Sequence, residues 1–204
     1  MSGEVKMVKL LIPLFLISVV LYGYVTQRFA NRPKSRRVAA NRKPQLAQLP
    51  LAEAVRHPDW KQRLAAVEQL KEQKALASIE LLLPMLDDAD SEVREKAKHA
   101  LVEMGQLALP DLLEVLRRGR LNARQGAAEA LGMIRDARAV EALGAALIGD
   151  ESMWVRVAAA NALGEIGGVQ VEDALNAGMD DDNPDVRDAS ATALERAVFS
   201  EDRP

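Results

Sequence analysis

Apolar side chains recur through most of this chain in short blocks whose spacing fits one face of a helix. Five blocks align without gaps, and each begins with arginine and ends with leucine seven residues later. They are RLAAVEQL from Arg63, REKAKHAL from Arg94, RQGAAEAL from Arg124, RVAAANAL from Arg156 and RDASATAL from Arg187. Successive arginines are 31, 30, 32 and 31 residues apart. A period of this length predicts stacked repeats instead of one closed core.

Each block is predicted to form the first helix of a repeat. Its fourth residue is small and its final leucine follows four positions later, so the two share one helical face. Small residues on that face allow neighbouring helices to approach closely. The predicted N-caps stand four residues before the arginines, at Asp59, Asp90, Ser152 and Asn183. Arg120 breaks this capping pattern.

Second apolar stretches lie between the blocks and predict a second helix in each repeat. They cover residues 76–86, 107–116, 140–147 and 171–179. Each repeat is therefore predicted to be a helical hairpin that buries its apolar face against the next hairpin. Gly105, Gly132 and Gly167 lie at or near the predicted ends of first helices, as expected of C-terminal helix breakers. A short helix near 51–56 and a last helix over 184–198 are predicted to close the two ends.

The repeated motif resembles the short form of the HEAT-like repeat family. That form has D-x-x-x-R near the start of the first helix and A-L-G near its end, and it stands here as DSEVREKAKHALVEMG, SMWVRVAAANALGEIG and NPDVRDASATALERA. The resemblance covers residues 51–198 and implies an all-α solenoid of helical hairpins. It also implies that the repeat arginines and acids form a structural ladder between repeats. These arginines are Arg63, Arg94, Arg124, Arg156 and Arg187.

Charge divides the chain into two regions. Residues 1–50 hold nine lysines and arginines and one acid, whereas residues 51–204 hold 18 basic and 29 acidic residues. An acidic repeat domain does not fit a nucleic-acid binder, because phosphate neutralisation needs a basic face on the folded part. The basic N-terminal region fits an anionic lipid surface instead.

An uncharged run of sixteen residues from Leu10 to Val25 predicts a membrane anchor. With its flanking residues it reaches the length of a transmembrane helix, predicted over residues 10–27. Residues 1–9 are then an N-terminal tail, residues 28–50 a basic flexible tether and residues 199–204 a C-terminal tail. A cleaved signal peptide is the alternative, since MSGEVKMVK resembles a charged leader. No small-x-small cleavage site follows the run, which favours an uncleaved anchor.

The cations that flank the predicted anchor indicate its orientation. Two lysines precede the run and seven lysines and arginines follow it before residue 44. This asymmetry places the repeat domain on the cytoplasmic side. The predicted localisation is thus a single-pass membrane protein with a cytoplasmic repeat domain.

The sequence offers little for catalysis or metal binding. The chain has no cysteine and two histidines, His57 and His99, and two such ligands do not build the usual metal site. Short HEAT-like repeats also occur in bilin lyases, and a di-iron hydroxylase built on them would carry paired His-Glu motifs, which are absent here. We therefore expect no catalytic residue, no metal and no cofactor, and a chain that is not an enzyme.

Two further groups of residues admit two interpretations. Asp180, Asp181, Asp182 and Asp185 suggest a calcium site, but they lack the spacing of a calcium loop and fit helix caps and solvated charge better. Trp60 and Trp154 precede their repeat arginines. Packing against a neighbouring hairpin is the expected role of these rings, and exposed binding anchors are the alternative.

The predicted function is a membrane-anchored scaffold that binds a protein, or an assembly or accessory subunit of a membrane complex. A lyase-like enzyme subunit is the alternative. The partner is predicted to be a protein, without nucleic acid or a small-molecule substrate. Helical spacing indicates seven outward residues on the second helices, which are either a binding face or ordinary solvated positions: Glu114, Arg117, Arg118, Arg138, Glu141, Asp173 and Asn176.

Charge also changes along the repeats. Residues 117–138 hold six basic and two acidic residues, whereas residues 139–204 hold four basic and fourteen acidic residues. Complementary charge directs encounter and register. The partner is therefore expected to present acidic groups near Arg117 and basic groups to the C-terminal repeats.

Overall fold

The computed structural model describes residues 51–199, with side chains described as far as residue 197. Every regular element in this range is helical, which confirms the predicted all-α repeat fold. Ten α-helices follow one another: α1 Leu51–Ala54, α2 Trp60–Gln73, α3 Leu76–Leu82, α4 Ser91–Met104, α5 Leu109–Arg118, α6 Leu121–Ile134, α7 Val140–Gly149, α8 Met153–Ile166, α9 Glu172–Gly178 and α10 Pro184–Phe199. Short 3-10 turns at Leu83–Asp87, Gly105–Leu107, Ala137–Ala139 and Val169–Val171 complete the hairpins.

The even-numbered helices from α2 to α10 are the first helices of the repeats, and most begin at a side-chain cap. Asp59 accepts a hydrogen bond from the amide of Lys61, and Asp90 accepts from the amides of Glu92 and Val93. Asn183 likewise accepts from the amide of Asp185. Ser152 and Arg120 occupy the N-cap positions of α8 and α6, but neither side chain makes a capping bond. The predicted cap at Ser152 is therefore wrong in this respect.

The odd-numbered helices α3 to α9 are the second helices, and some are shorter than the apolar stretches predict. Helix α3 ends at Leu82 because Pro84 follows, and the chain continues as a 3-10 turn. Helix α5 starts at Leu109 and not at 107, since residues up to Leu107 form another 3-10 turn. Hydrophobic content marked these stretches correctly but could not distinguish an α-helix from a tighter turn.

The core lies between the two layers of helices and between successive hairpins. Each first helix packs against the next, and α5, α7 and α9 pack against one another in order. The final leucines of the first four blocks, Leu70, Leu101, Leu131 and Leu163, have no exposed surface. Burying a leucine completely stabilises a fold by about 1.5–3 kcal/mol, so these periodic leucines are the main support of the stack.

Two glycines set the closest approach between first helices. A Cβ on Gly132 would lie 2.6 Å from the Cα of Ala162, and a Cβ on Gly164 would lie 2.8 Å from the Cα of Ala193. Gly132 lies near the end of α6, as predicted, but it does not terminate the helix, which continues to Ile134 and stops at Arg135 with a φ of 57°. Gly132 is thus a packing residue between helices.

The predicted N-terminal tail, transmembrane helix 10–27 and basic tether 28–50 lie outside the described residues, as do residues 200–204 of the C-terminal tail. Among the helices of residues 51–199, none combines the length and the apolar character needed to cross a membrane. This finding contradicts the predicted localisation as a single-pass membrane protein with a cytoplasmic repeat domain. We correct that prediction, and membrane localisation forms no part of the function proposed below.

Candidate functional site

A ladder of ion pairs runs along the loops that join successive repeats. Arg63 donates from Nε and Nη2 to the two carboxylate oxygens of Asp88, over 2.6 and 2.7 Å. Arg124 holds Asp150 in the same way at 2.7 and 2.9 Å. Such bidentate pairs fix geometry as well as charge. Each pair therefore bridges a first helix to the loop that leads into the next repeat.

The third complete rung joins Arg156 to Asp181, with Nε and Nη2 donating over 2.8 and 3.0 Å. The hydrogen bond from Arg156 is the main reason that the pKa of Asp181 lies below its usual value. Burial by itself would raise the pKa of Asp88, but the hydrogen bonds from Arg63 and from the amide of Asp90 outweigh burial and lower it. Both carboxylates are consequently held in the charged form.

Two repeat arginines do not complete a rung within the described residues. Arg94 donates only from Nη1, to the carbonyl oxygens of Asp88 and Ala89 at 2.7 and 3.1 Å. Arg187 makes the corresponding bonds to two loop carbonyls and lies in α10, the last described helix. The ladder is therefore interrupted inside the stack at Arg94.

The second helices present a regular outward stripe. Buried residues fix their register, since Ala108, Ala139 and Val171 are equivalent and fully buried, as are Leu112, Leu143 and Leu175. In that register four rows are exposed on the three helices or on the turns that precede or follow them. The rows are Leu107, Arg138 and Gln170; Pro110, Glu141 and Asp173; Glu114, Ala145 and Ala177; and Arg117, Ile148 and Asp180.

This outward stripe covers one helical face, because its positions follow the spacing i, i+3, i+7 and i+10. The row from Arg117 through Ile148 to Asp180 changes from positive on α5 to negative on the turn that follows α9. The row beside it carries only methyl groups at Ala145 and Ala177. The stripe is thus a surface with a shallow centre and a charge gradient along the stack.

Most of the seven predicted binding residues lie on this stripe. Five of them occupy the rows: Glu114, Arg117, Arg138, Glu141 and Asp173. Arg118 is also exposed but lies beside the stripe at the end of α5, and Asn176 is exposed at a position equivalent to the buried Gly144. The structure therefore brings the first five together and places Arg118 and Asn176 outside the shared rows.

Local ion pairs hold several of these charges. Glu114 lies 3.8 Å from Arg117 and 3.3 Å from Arg118, and all three side chains are largely exposed. Arg138 pairs with Asp136, and its hydrogen bond is the main cause that lowers the pKa of Asp136 to about 2. Exposed pairs of this kind exchange easily, so these charges are available to a partner.

Sequence reasoning did not mark the exposed apolar residue Ile148, and it gave exposure of Trp154 only as the alternative to packing. Ile148 is 64% exposed at the end of α7, and Trp154 is 57% exposed at the start of α8. The expected packing of Trp154 against a neighbouring hairpin is therefore not observed. The repeat period, applied to the second helices as well as the first, would have marked Ile148, whereas nothing in the sequence separates an exposed tryptophan from a packed one.

A cleft of about 370 Å³ adjoins the acidic end of the stripe. Ile148 and Ala177 line it together with Asp180, Asp182 and the paired Asp181. Carboxylates beside an apolar contact suit a basic side chain with an aliphatic stem. This end of the stripe therefore favours a lysine or arginine of a partner.

The residues considered for metal or catalytic chemistry have local roles in the structure. His57 accepts a hydrogen bond from the amide of Asp59, and His99 lies 3.4 Å from Glu95. Asp181 belongs to the ladder, as described above. Across the described residues no group of three or more histidines, aspartates and glutamates could hold a metal ion.

Comparison with solved structures shows repeat proteins of the same fold. Human deoxyhypusine hydroxylase, solved in complex with glycerol, is 31% identical over 59% of this chain, with a TM-score of 0.51. The matched region spans 43% of the hydroxylase, well under two thirds of its length. The complex of CpcE and CpcF of phycocyanin lyase from Nostoc sp. is 22% identical over 74% of this chain and 66% of its own, with a TM-score of 0.50, and this likeness shows the fold alone.

The family comparison is more direct. A search of curated proteins finds no match to this chain. The family described as HEAT repeats matches residues 48–122 and residues 109–195, which together cover well over half of the chain. The periodic leucines, the stacked hairpins and the arginine ladder all lie inside these matches. The chain therefore belongs to the HEAT repeat family.

Proposed function

We propose that this protein is a protein-binding scaffold whose outward stripe on α5, α7 and α9 contacts a partner. The observation that carries the proposal is the stripe itself: four rows stay exposed on three successive hairpins while the anchors between them are fully buried. HEAT repeats generally mediate protein interactions. A stacked array of this kind offers an extended surface, which supports the role of an assembly subunit that we propose here in preference to an enzyme.

The charge gradient of the stripe indicates how the partner is oriented. Arg117 lies at one end of the outermost row and Asp180 at the other. The partner therefore places acidic groups against α5 and basic groups against α9, with an apolar contact at Ile148 between them. Charges of this type set encounter rate and register more than affinity. Affinity is expected to come from the apolar contacts, with Trp154 as the strongest candidate because tryptophan is enriched among residues that dominate interfaces.

Co-purification with the full chain tests the proposal when it is combined with two variants of equal charge. The variant Arg117→Glu/Arg118→Glu reverses two charges on and beside the stripe. The control Lys61→Glu/Lys96→Glu reverses two exposed charges on the first helices α2 and α4. A partner that is lost from the first variant and retained by the control supports the stripe. Equal retention by both variants would exclude the stripe as the binding surface.

The purified partner then allows a quantitative test. We expect Arg117→Glu/Arg118→Glu to slow association by about tenfold at low salt and to flatten its dependence on ionic strength. We expect Trp154→Ala to act on dissociation instead. Circular dichroism of each variant should show unchanged helix content, because these side chains are exposed and their loss changes stability by less than about 1 kcal/mol.

A further inference from the structure

The interrupted rung at Arg94 lies in a cleft between α4 and α6, on the first-helix side of the stack. The cleft has a volume of about 180 Å³ and is lined by Arg94, Lys98, Asn122, Gln125 and Gly126, with Leu86 among the apolar atoms. It does not include any residue of the outward stripe. What the cleft binds is therefore a question separate from the proposed function.

Position 119 explains why the rung is missing. Asp88, Gly119, Asp150 and Asp181 follow one another at intervals of 31 residues, so glycine stands where the other repeats have the ladder aspartate. A Cβ on Gly119 would lie 2.6 Å from the carbonyl oxygen of Val115. This loop backbone consequently cannot accept aspartate without moving. The next first helix also starts one residue early, since Arg94 and Arg124 are 30 residues apart.

The guanidinium of Arg94 keeps the geometry of a complete rung. In Arg63, Arg124 and Arg156, Nη1 donates to a loop carbonyl while Nε and Nη2 hold the carboxylate. Arg94 makes the same Nη1 bonds, so its plane is fixed in the same way. Among the described residues, its Nε and Nη2 have no acceptor. A half-buried arginine with two parallel donors free is preorganised for a planar, bidentate anion.

Two carboxylates, Glu95 and Glu129, also line the cleft, so its charges do not favour an anion with more than one negative charge. Lys98 is buried and pairs with both Glu95 and Glu129, at 2.8 and 2.6 Å. Burial alone would lower the pKa of Lys98, but its hydrogen bonds to Glu129 and Glu95 outweigh burial and raise it. Lys98 therefore stays charged and neutralises part of the two glutamates. Their remaining negative charge disfavours a dianion such as phosphate.

We propose that Arg94 and the cleft around it bind a carboxylate group supplied from outside the ladder. The carboxylate takes the place that Asp88, Asp150 and Asp181 occupy at the complete rungs, with its two oxygens on Nε and Nη2 of Arg94. The side-chain amides of Asn122 and Gln125, on the α6 side of the cleft, already donate to Asp87 and Glu129, so the proposed contact is made by Arg94. Two kinds of molecule supply such a carboxylate group, namely a protein with a glutamate or aspartate side chain and a free small carboxylate.

Titration of the full chain with defined probes tests the site, monitored through the Nε–H signals of its arginines by NMR. Acetate should move the Arg94 signal with a Kd on the order of ten millimolar, because a single bidentate pair on a partly open surface is weak. The signals of Arg63, Arg124 and Arg156 should stay in place, since the Nε and Nη2 donors of these arginines already bind a carboxylate. Phosphate should bind at least tenfold more weakly than acetate. Equal movement of all arginine signals, or tighter binding of phosphate, would overturn the proposal.

Matched variants and probes separate the site from a structural effect and identify the source. Arg94→Gln should abolish acetate binding, whereas Arg187→Gln removes the same pair of loop bonds outside the cleft and should leave binding unchanged. A capped peptide Ala-Glu-Ala that binds more tightly than acetate indicates a protein side chain, and its Ala-Gln-Ala counterpart should not bind. Tighter binding of acetate indicates a free carboxylate. Failure of both probes to bind would contradict the site while leaving the stripe untouched.

Discussion

Two junctions between first helices differ sharply in how they are held. At the junction of α6 with α8, Gly132 packs directly on Ala162, and the rung from Arg124 to Asp150 ties the loops together. At the junction of α4 with α6, Val102 stands where the next helix has Gly132, the rung is missing, and Lys98 with Glu129 bridges the helices instead. One junction is thus close and apolar, whereas the other is wider and polar.

This contrast shows that a regular repeat does not imply a uniform stack. Stability of repeat arrays is the sum of the repeats and of the interfaces between neighbours. A single interface can therefore be weakened without loss of the fold, and the surface that it frees becomes available for binding.

The largest effect is expected from Gly132→Ala. The new methyl group would lie within 3 Å of the backbone of Ala162, so one of the two helices must shift. We expect a loss of about 2–4 kcal/mol in the free energy of unfolding of the full chain, measured by urea titration. Gly149→Ala is the control, because its Cβ would meet no atom within 4 Å. Equal stability of the two variants would contradict the close junction.

The second effect compares the same substitution at a complete and at an interrupted rung. Arg124→Lys loses the bidentate contact with Asp150, since lysine has no planar fork, and should cost about 2 kcal/mol. Arg94→Lys loses only bonds to loop carbonyls and should cost less than about 1 kcal/mol. Thermal or urea unfolding of both variants measures the difference. If Arg94→Lys proves the more damaging, a carboxylate within the chain completes the rung at Arg94, and the contrast between the two rungs is wrong.

A third test concerns the polar bridge between α4 and α6. Lys98→Met removes the cation that pairs with Glu129 and should cost about 1 kcal/mol, because a partly buried carboxylate loses its counter-ion. The double variant Lys98→Met/Glu129→Met should recover to within about 0.5 kcal/mol of the parent, as an apolar pair needs no desolvation of charge. A double-mutant cycle by urea unfolding gives the coupling. Additive losses would show that the two residues do not interact.

The smallest effect on stability is expected from lowering the pH. The pKa values of Asp88 and Asp181 lie below their usual value near 3.9, so the unfolded chain takes up protons before the folded chain does. Their contribution is therefore complete above about pH 4 and is lost as the pH falls through the lowered pKa values. Hydrogen exchange should show loosening next to Asp181 in this window, with no such change next to Gly119. Asp181→Asn should remove the pH dependence at its own rung.

The sequence predicted the first helices well because their signal is repeated five times. Each arginine and its leucine mark the same two positions of a helix, so errors in one copy are corrected by the others. The second helices lack such a marker, which is why the 3-10 turn after Leu82 and the start of α5 were not predicted. A hydrophobic stretch predicts that a helix is present, but it does not show whether the segment is an α-helix or a 3-10 turn.

The ladder partners show a different limit of sequence reasoning. The family motif drew attention to the position four residues before each arginine, where Asp90 indeed caps α4. The carboxylates that pair with the arginines are instead Asp88, Asp150 and Asp181. Adjacent aspartates such as Asp180, Asp181 and Asp182 cannot be told apart until the loop backbone is known. Gly119 can be read from the sequence, but its place in the missing rung becomes evident only when the three aspartates are seen to pair with arginines.

The close packing at Gly132 and Gly164 also affects the order in which the helices fold. Repeat arrays fold by nucleation in one region and propagation to its neighbours. The glycine contacts link α6, α8 and α10, so these helices form the most tightly coupled block and are expected to assemble first. Folding then spreads toward the N-terminus and reaches the junction of α4 with α6. Formation of this interface is expected to stabilise the array least. Refolding should accordingly show α8 amides protected before those of α2, with the delay arising at the Arg94 cleft.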